Sequence, residues 1–143
     1  MNKLVSRRNR VLRVRHVQHQ QALAETVAAR DAQRSLENNA ERIRTIRGEL
    51  FDGEGVVDGA SLAARRELAS RLDQAGRQLE GAIYDARRKV DQKEGLRLIA
   101  NREREIADKL KARAIRAREE YRERQIQKLP RSQPSATKGG EDA

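Results

Sequence analysis

Residues 52–59 read DGEGVVDG, with three glycines and three acids in eight positions. Glycine readily adopts the backbone conformations that end a helix and is unfavourable inside one, so this octet divides the helical pattern around it. Asp58 and Ser61 each offer an N-cap for a helix beginning near residue 60. The next strong break is Pro130, after which PRSQPSATKGGEDA has the makeup of a disordered tail. Between the breaks the sequence predicts helix over about 3–51 and about 60–129, joined by a turn at 52–59. A short glycine-rich turn between long helices favours an all-α fold, two long helices in an antiparallel coiled-coil hairpin over residues 1–129, with a disordered C-terminal tail at 130–143.

Composition points the same way. The 143 residues include one Phe, two Tyr and no Trp, and 38% are charged, too few large apolar groups and too many ions for a globular core. The dominant Ala, Leu, Arg, Glu and Gln favour helix. Absence of Cys excludes disulfides, thiolate metal sites and cysteine nucleophiles, and fits a reducing, cytoplasmic setting. No apolar run has the length of a membrane span. The stretch VSRRNRVLRVRH, Val5 to His16, resembles the start of a mitochondrial presequence, but no small-residue cleavage boundary follows and the helical pattern continues.

The second helix carries a heptad pattern. Steps of four and three from Leu68 reach Leu72, Ala75, Leu79, Ala82, Ala86, Lys89, Lys93, Leu96, Ala100, Glu103, Ala107, Leu110, Ala114, Ala117 and Tyr121. The first helix has a looser stripe through Val11, Val14, Ala22, Ala29, Ala32, Leu36, Ala40, Ile43, Ile46 and Leu50, which drifts near Gln18 and Glu25. Folding the chain about the turn pairs residues whose numbers add to about 111, so Ile43 is expected opposite Leu68 and Leu36 opposite Ala75. Helix two then projects alone beyond about residue 110. Ile83, Val90, Ile99 and Ile106 fall beside this seam, and Val17, Leu23 and Val27 beside the first stripe, as broadened packing or as strips for a partner helix. Gly76, Gly81 and Gly95 mark flexible points, close approach or tolerated weakness within helix two.

The charge is lopsided. Net charge is +10, yet residues 25–100 hold fourteen basic and fourteen acidic groups. Residues 1–24 hold six basic groups and no acid, and residues 101–128 hold ten basic and six acidic. A neutral shaft with a positive open end is expected. Basic helical faces are usually solvated and laced with i, i+4 pairs, such as Glu105 with Lys109, but Val5 to His16 has no local acid to supply them.

Catalytic and cofactor chemistry find no foothold. His16 and His19 stand three apart but have no nearby acid or Cys to complete a metal site, so solvated helix polar residues are the preferred reading. Gly53 to Gly55 lacks the further glycine and flanking strand of a phosphate loop and reads as turn. A two-helix rod offers no water-excluding pocket, so no catalytic residue, metal, cofactor or small-molecule substrate is expected and the chain reads as a non-enzyme.

The layout from Leu4 to about Lys128 resembles the FliJ family of small coiled-coil proteins in flagellar type III export. The likeness is carried by the opening LVSRRNRVLRVR, the glycine turn, RRELASRLDQAGRQLEGAIYDARRKVDQKEGLRLIANREREIADKLKARAIR, and within it ANREREIADKLKAR from Ala100 to Arg113. The resemblance implies a central stalk that enters the hexameric export ATPase by its open end and promotes ring assembly and hydrolysis. It also implies contact with the cytoplasmic domain of the export gate, exchange of late-substrate chaperones, a role in motility, and a cytoplasmic place at the periphery of the inner-membrane apparatus. Carried over, ring contact falls to Arg7, Arg8, Arg10, Arg13, Arg15, Arg116, Arg118, Arg122 and Arg124. Gate contact falls to Leu68, Leu72, Ala75 and Leu79, where the family's aromatic and polar residues are replaced by three Leu and an Ala. Those four also lie on the expected seam, so packing between the helices is the competing reading. Alternatives are the stalk of a virulence injectisome, a coiled coil that binds duplex nucleic acid, and a structural homodimer.

Overall fold

In a computed structural model, which describes residues 2–53 and 58–130, the chain is an all-α hairpin of α1 (Asn2–Glu49) and α2 (Gly59–Lys128). At 1.5 Å per residue the helices span about 72 Å and about 105 Å. The cap of α2 is Asp58, whose carboxylate accepts the Ser61 N–H at 2.8 Å; hydrogen bonding from the Ser61 side chain, and then from that N–H, holds its pKa below the ordinary value. At the other end Leu129 N–H donates to the Ile126 carbonyl, ahead of Pro130. Glu54 to Val57 of the expected turn, and the expected tail from Arg131 onward, lie outside the described residues.

The helices run antiparallel, but not in the expected register. Thr26 meets Lys93, numbers that add to 119 rather than 111, and the ion pairs Arg15–Glu103, Glu25–Lys93 and Arg47–Asp73 agree to within one residue. The shift arises where the chain turns. Glu49, the last residue of α1, is set opposite Ser70, so α2 begins about three turns beyond the end of α1, and Gly53 lies against the Arg65 guanidinium. Residues 59–64 are accordingly all exposed. At the open end Asn2 lies opposite Ala117, so only residues 119–128 project as a single helix, not everything after about 110.

The seam of α1 is a strict heptad. Val5, Arg8, Leu12, Arg15, His19, Ala22, Thr26, Ala29, Gln33, Leu36, Ala40, Ile43, Arg47 and Leu50 are all buried or half-buried. Val11, Val14, Ala32 and Ile46, expected on the stripe, are exposed instead. The apparent drift came from following apolar residues where the facing position is polar. On α2 the seam is Arg65, Ala69, Leu72, Gly76, Leu79, Ile83, Ala86, Val90, Lys93, Arg97, Ala100, Arg104, Ala107, Lys111, Ala114 and Arg118. Leu72, Leu79, Ala86, Lys93, Ala100, Ala107 and Ala114 were expected there, whereas Leu68, Lys89, Leu96 and Tyr121 are exposed. Ile83 and Val90, expected beside the seam, face into it.

This register sets Leu50 opposite Ala69, Ala40 opposite Leu79 and Leu12 opposite Ala107. Large groups thus meet small ones, as close packing of two helices requires. The closeness is visible at Thr26, 1% exposed, whose hydroxyl donates to the Ala22 carbonyl at 2.9 Å and reaches the Lys93 carbonyl across the seam at 3.3 Å.

Candidate functional site at the open end

Local sequence places a large charge at one end of the hairpin, and the register decides which groups share it. Residues 1–24 lie alongside residues 95–118, and together these spans carry fourteen basic and three acidic groups; residues 25–94 carry thirteen and fourteen. The amino terminus of a helix is the positive end of its dipole, and the first turn of α1 holds Lys3 and no acid. The negative C-terminal end of the α2 dipole lies at the same end of the hairpin, so the side-chain charges carry the polarity.

The sequence-predicted arginines do not form one surface. Arg7, Arg10, Arg13 and Arg116 stand exposed on the outside of the two-helix segment. Arg122 and Arg124 lie on the projecting end of α2, Arg124 at 3.8 Å from Glu120. Arg8, Arg15 and Arg118 turn into the seam and are half-buried. Arg15 donates to Glu103 at 2.8 Å and Gln18 at 3.0 Å. The Arg118 Nε is buried with no hydrogen-bond partner among the described residues.

Sequence reading missed Arg104, which lies opposite Arg15, and Lys111, opposite Arg8, and with them Arg97. Arg97, Arg104, Lys111 and Arg118 occupy one position of α2 in four successive heptads. Spacing of seven was the available signal, hidden because the apolar pattern beside it is stronger. Arg97 is neutralised by Glu94 at 2.9 Å, and Glu94 also meets Arg30 of the other helix. Beyond it compensation thins: Arg104 donates only to the neutral Asn101 carbonyl oxygen, at 2.9 and 3.3 Å. Lys111 makes no ion pair among the described residues. The expected Glu105–Lys109 pair is not formed; Glu105 accepts from Asn101 at 3.2 Å.

The turn-proximal half is paired across the helices. Arg47–Asp73 at 3.1 Å, Arg87–Glu37 at 3.4 Å and Lys93–Glu25 at 3.2 Å link α1 to α2. Glu37 is held below the ordinary glutamate pKa, chiefly by the hydrogen bond from Gln33 and then by Arg87. Partly exposed pairs of this kind contribute about 0–1 kcal/mol each, but they favour one register over its neighbours.

Of the gate-contact residues, Leu72 and Leu79 face the seam, Ala75 is half-buried at its edge, and Leu68 is 44% exposed. They do not form one outward ridge. A separate outward apolar strip is made by Leu98, Ile99 and Ile106, each more than half exposed on α2. His16 is exposed and His19 half-buried. Among the described residues no group of three or more His, Cys, Asp or Glu could hold a metal, and no helix is long and apolar enough to cross a membrane.

The chain was then compared with protein-family models, curated proteins and solved structures. Nothing matches. The functional reading therefore stands on the residues themselves.

Proposed function

We propose that this chain is a non-enzymatic stalk and escort of flagellar type III protein export. In this role the open end enters the export ATPase hexamer and promotes its assembly and hydrolysis, and the shaft meets the export gate and late-substrate chaperones. The protein works in the cytoplasm, at the periphery of the inner-membrane apparatus. The observation that supports the reading most is the hairpin's polarity: a charge-balanced shaft leads to an end with fourteen basic groups against three acidic ones. The uncompensated charge on residues 1–24 and 95–118, just behind the neutral projecting residues 119–128, attracts an acidic wall around it, and the screening length of about 8 Å at physiological salt confines that attraction to this segment. The layout from Leu4 to Lys128 that resembles the FliJ family gives that wall its identity.

The test is the hydrolysis rate of the flagellar export ATPase from the same organism, at physiological salt, with and without this protein. Stimulation is expected, and its loss when Arg7, Arg8, Arg10 and Arg13 are changed to Glu. An ATPase shown competent to form hexamers but indifferent to the protein would overturn the stalk reading. The same positive end favours a second reading, a coiled coil bound to duplex nucleic acid. It requires binding that weakens steeply as salt rises.

A further inference from the structure

Two layers of the seam hold cations on both helices. The register sets Arg15 opposite Arg104 and Arg8 opposite Lys111, all four half-buried, the second layer between Val5–Ala114 and Leu12–Ala107 and the first between Leu12–Ala107 and His19–Ala100. Among the described residues only Glu103, on Arg15, stands against them as an ion-paired carboxylate. Like charges facing each other across a coiled-coil seam oppose closure, and partial burial strengthens the repulsion. Such local conflict with the fold is characteristic of functional sites.

We propose that the open end is an opening-and-binding device: its like-charged seam layers keep residues 2–19 of α1 loosely held, and carboxylates from an acidic helical segment of a partner protein bridge the layers and close it. The two layers are one heptad apart, about 10.5 Å along the axis, which matches acids at i and i+7 of a partner helix. Access exists on one flank. There a hollow of about 460 Å³ is floored by Leu12 and Val17, edged by Arg13 and Asp108, and reaches Arg104. Its apolar floor suits the aliphatic face of a helix better than the sugar-phosphate backbone of a duplex, and the chain has no Trp for base stacking. Asp108 weakens the field on this flank, and of the four layer cations Arg104 alone lines the hollow, so Arg104, rather than the rim, supplies the anchor there. The inference builds on the partner-facing role of the open end and not on which partner it is.

The test is amide hydrogen exchange on the full chain at low salt, comparing residues 5–19 with residues 33–49, with and without a poly-glutamate peptide, and repeated with duplex DNA. Exchange over 5–19 is expected to be at least roughly tenfold faster than over 33–49 in the free protein, and to slow by roughly tenfold with the peptide. In Arg8→Leu/Arg15→Leu the segment is expected to be protected without peptide and to gain nothing from it, because one cation of each layer is gone. Arg7→Gln/Arg10→Gln/Arg13→Gln keeps both layers and is expected to keep the peptide response. Four outcomes would each overturn the proposal: equal protection of both segments in the free protein, no response to the peptide, a response lost only in the triple variant, or protection by DNA alone. Each is read without the ATPase, so failure here is distinct from failure of the stalk reading.

Discussion

The two halves of this hairpin share one heptad and solve it differently. Near the turn the seam layers are Leu36–Ile83, Ala40–Leu79, Ile43–Gly76 and Leu50–Ala69, with ion pairs reaching across the flanks. Toward the open end they are His19–Ala100, Arg15–Arg104, Leu12–Ala107 and Arg8–Lys111. The first half is stabilised by burial and matched charge, and the second holds half-buried like charges between thin apolar layers. Zipping is thus favourable at one end and contested at the other. A chain whose two helices are continuous through both halves can remain a hairpin as a whole while opening from its tip.

The contrast is most directly broken in the turn-proximal core. Ile83→Ala removes the largest side chain in the buried set and is expected to lower unfolding stability by about 2–3 kcal/mol in denaturant titration. Leu12→Ala, in the half-buried layer between the cation layers, is expected to lose about 1 kcal/mol or less; equal losses at both sites would erase the difference between the halves. At the boundary, Thr26→Val removes the hydroxyl that reaches the Lys93 carbonyl, with an expected loss of about 1 kcal/mol by the same titration. Gly76→Ala sharpens the apolar half in the opposite direction. A methyl group there meets nothing within 4 Å, so a gain of about 0.5–1 kcal/mol is expected. Smallest is the acid response of the turn-proximal half. Asp58 and Glu37 have folded-state pKa values below their ordinary ones, so their stabilisation is present above the unfolded values and is lost as the pH falls through the folded ones. Circular dichroism during acid titration below about pH 4 is expected to show this loss, and Asp58→Asn to remove the Asp58 share of it.

The glycines of α2 show how far sequence carries. Gly76, Gly81 and Gly95 admitted close approach as one reading, yet a Cβ built on any of them stands clear of every neighbour by 4 Å. They are tolerated weaknesses in a helix held by the rest of its seam. Asp58, by contrast, was legible as a cap from its position before the helical pattern, because capping depends only on groups within one turn. The candidate site was half legible. The exposed Arg7, Arg10 and Arg13 follow from charge counting, while Arg104 and Lys111 emerge as the counterparts of Arg15 and Arg8 only once the facing positions are known.

What the sequence alone determined is everything local: two long helices, a break around 52–59, a cap at Asp58 and the confinement of net charge to the termini. These follow from intrinsic helix preference, glycine's backbone freedom and simple counting, none of which needs a second helix. Tertiary structure decided the register and the rotation of each helix about its axis. The apolar band of α2 covers three positions per heptad, many filled by Ala, so two neighbouring stripes compete for the seam and their side chains differ little in apolar area. Packing of large against small groups and the cross-helix ion pairs select one stripe, and the connection beside Arg65 takes up the eight-residue difference in register. That selection sets Arg15 opposite Arg104 and Arg8 opposite Lys111, a juxtaposition that exists only between the helices.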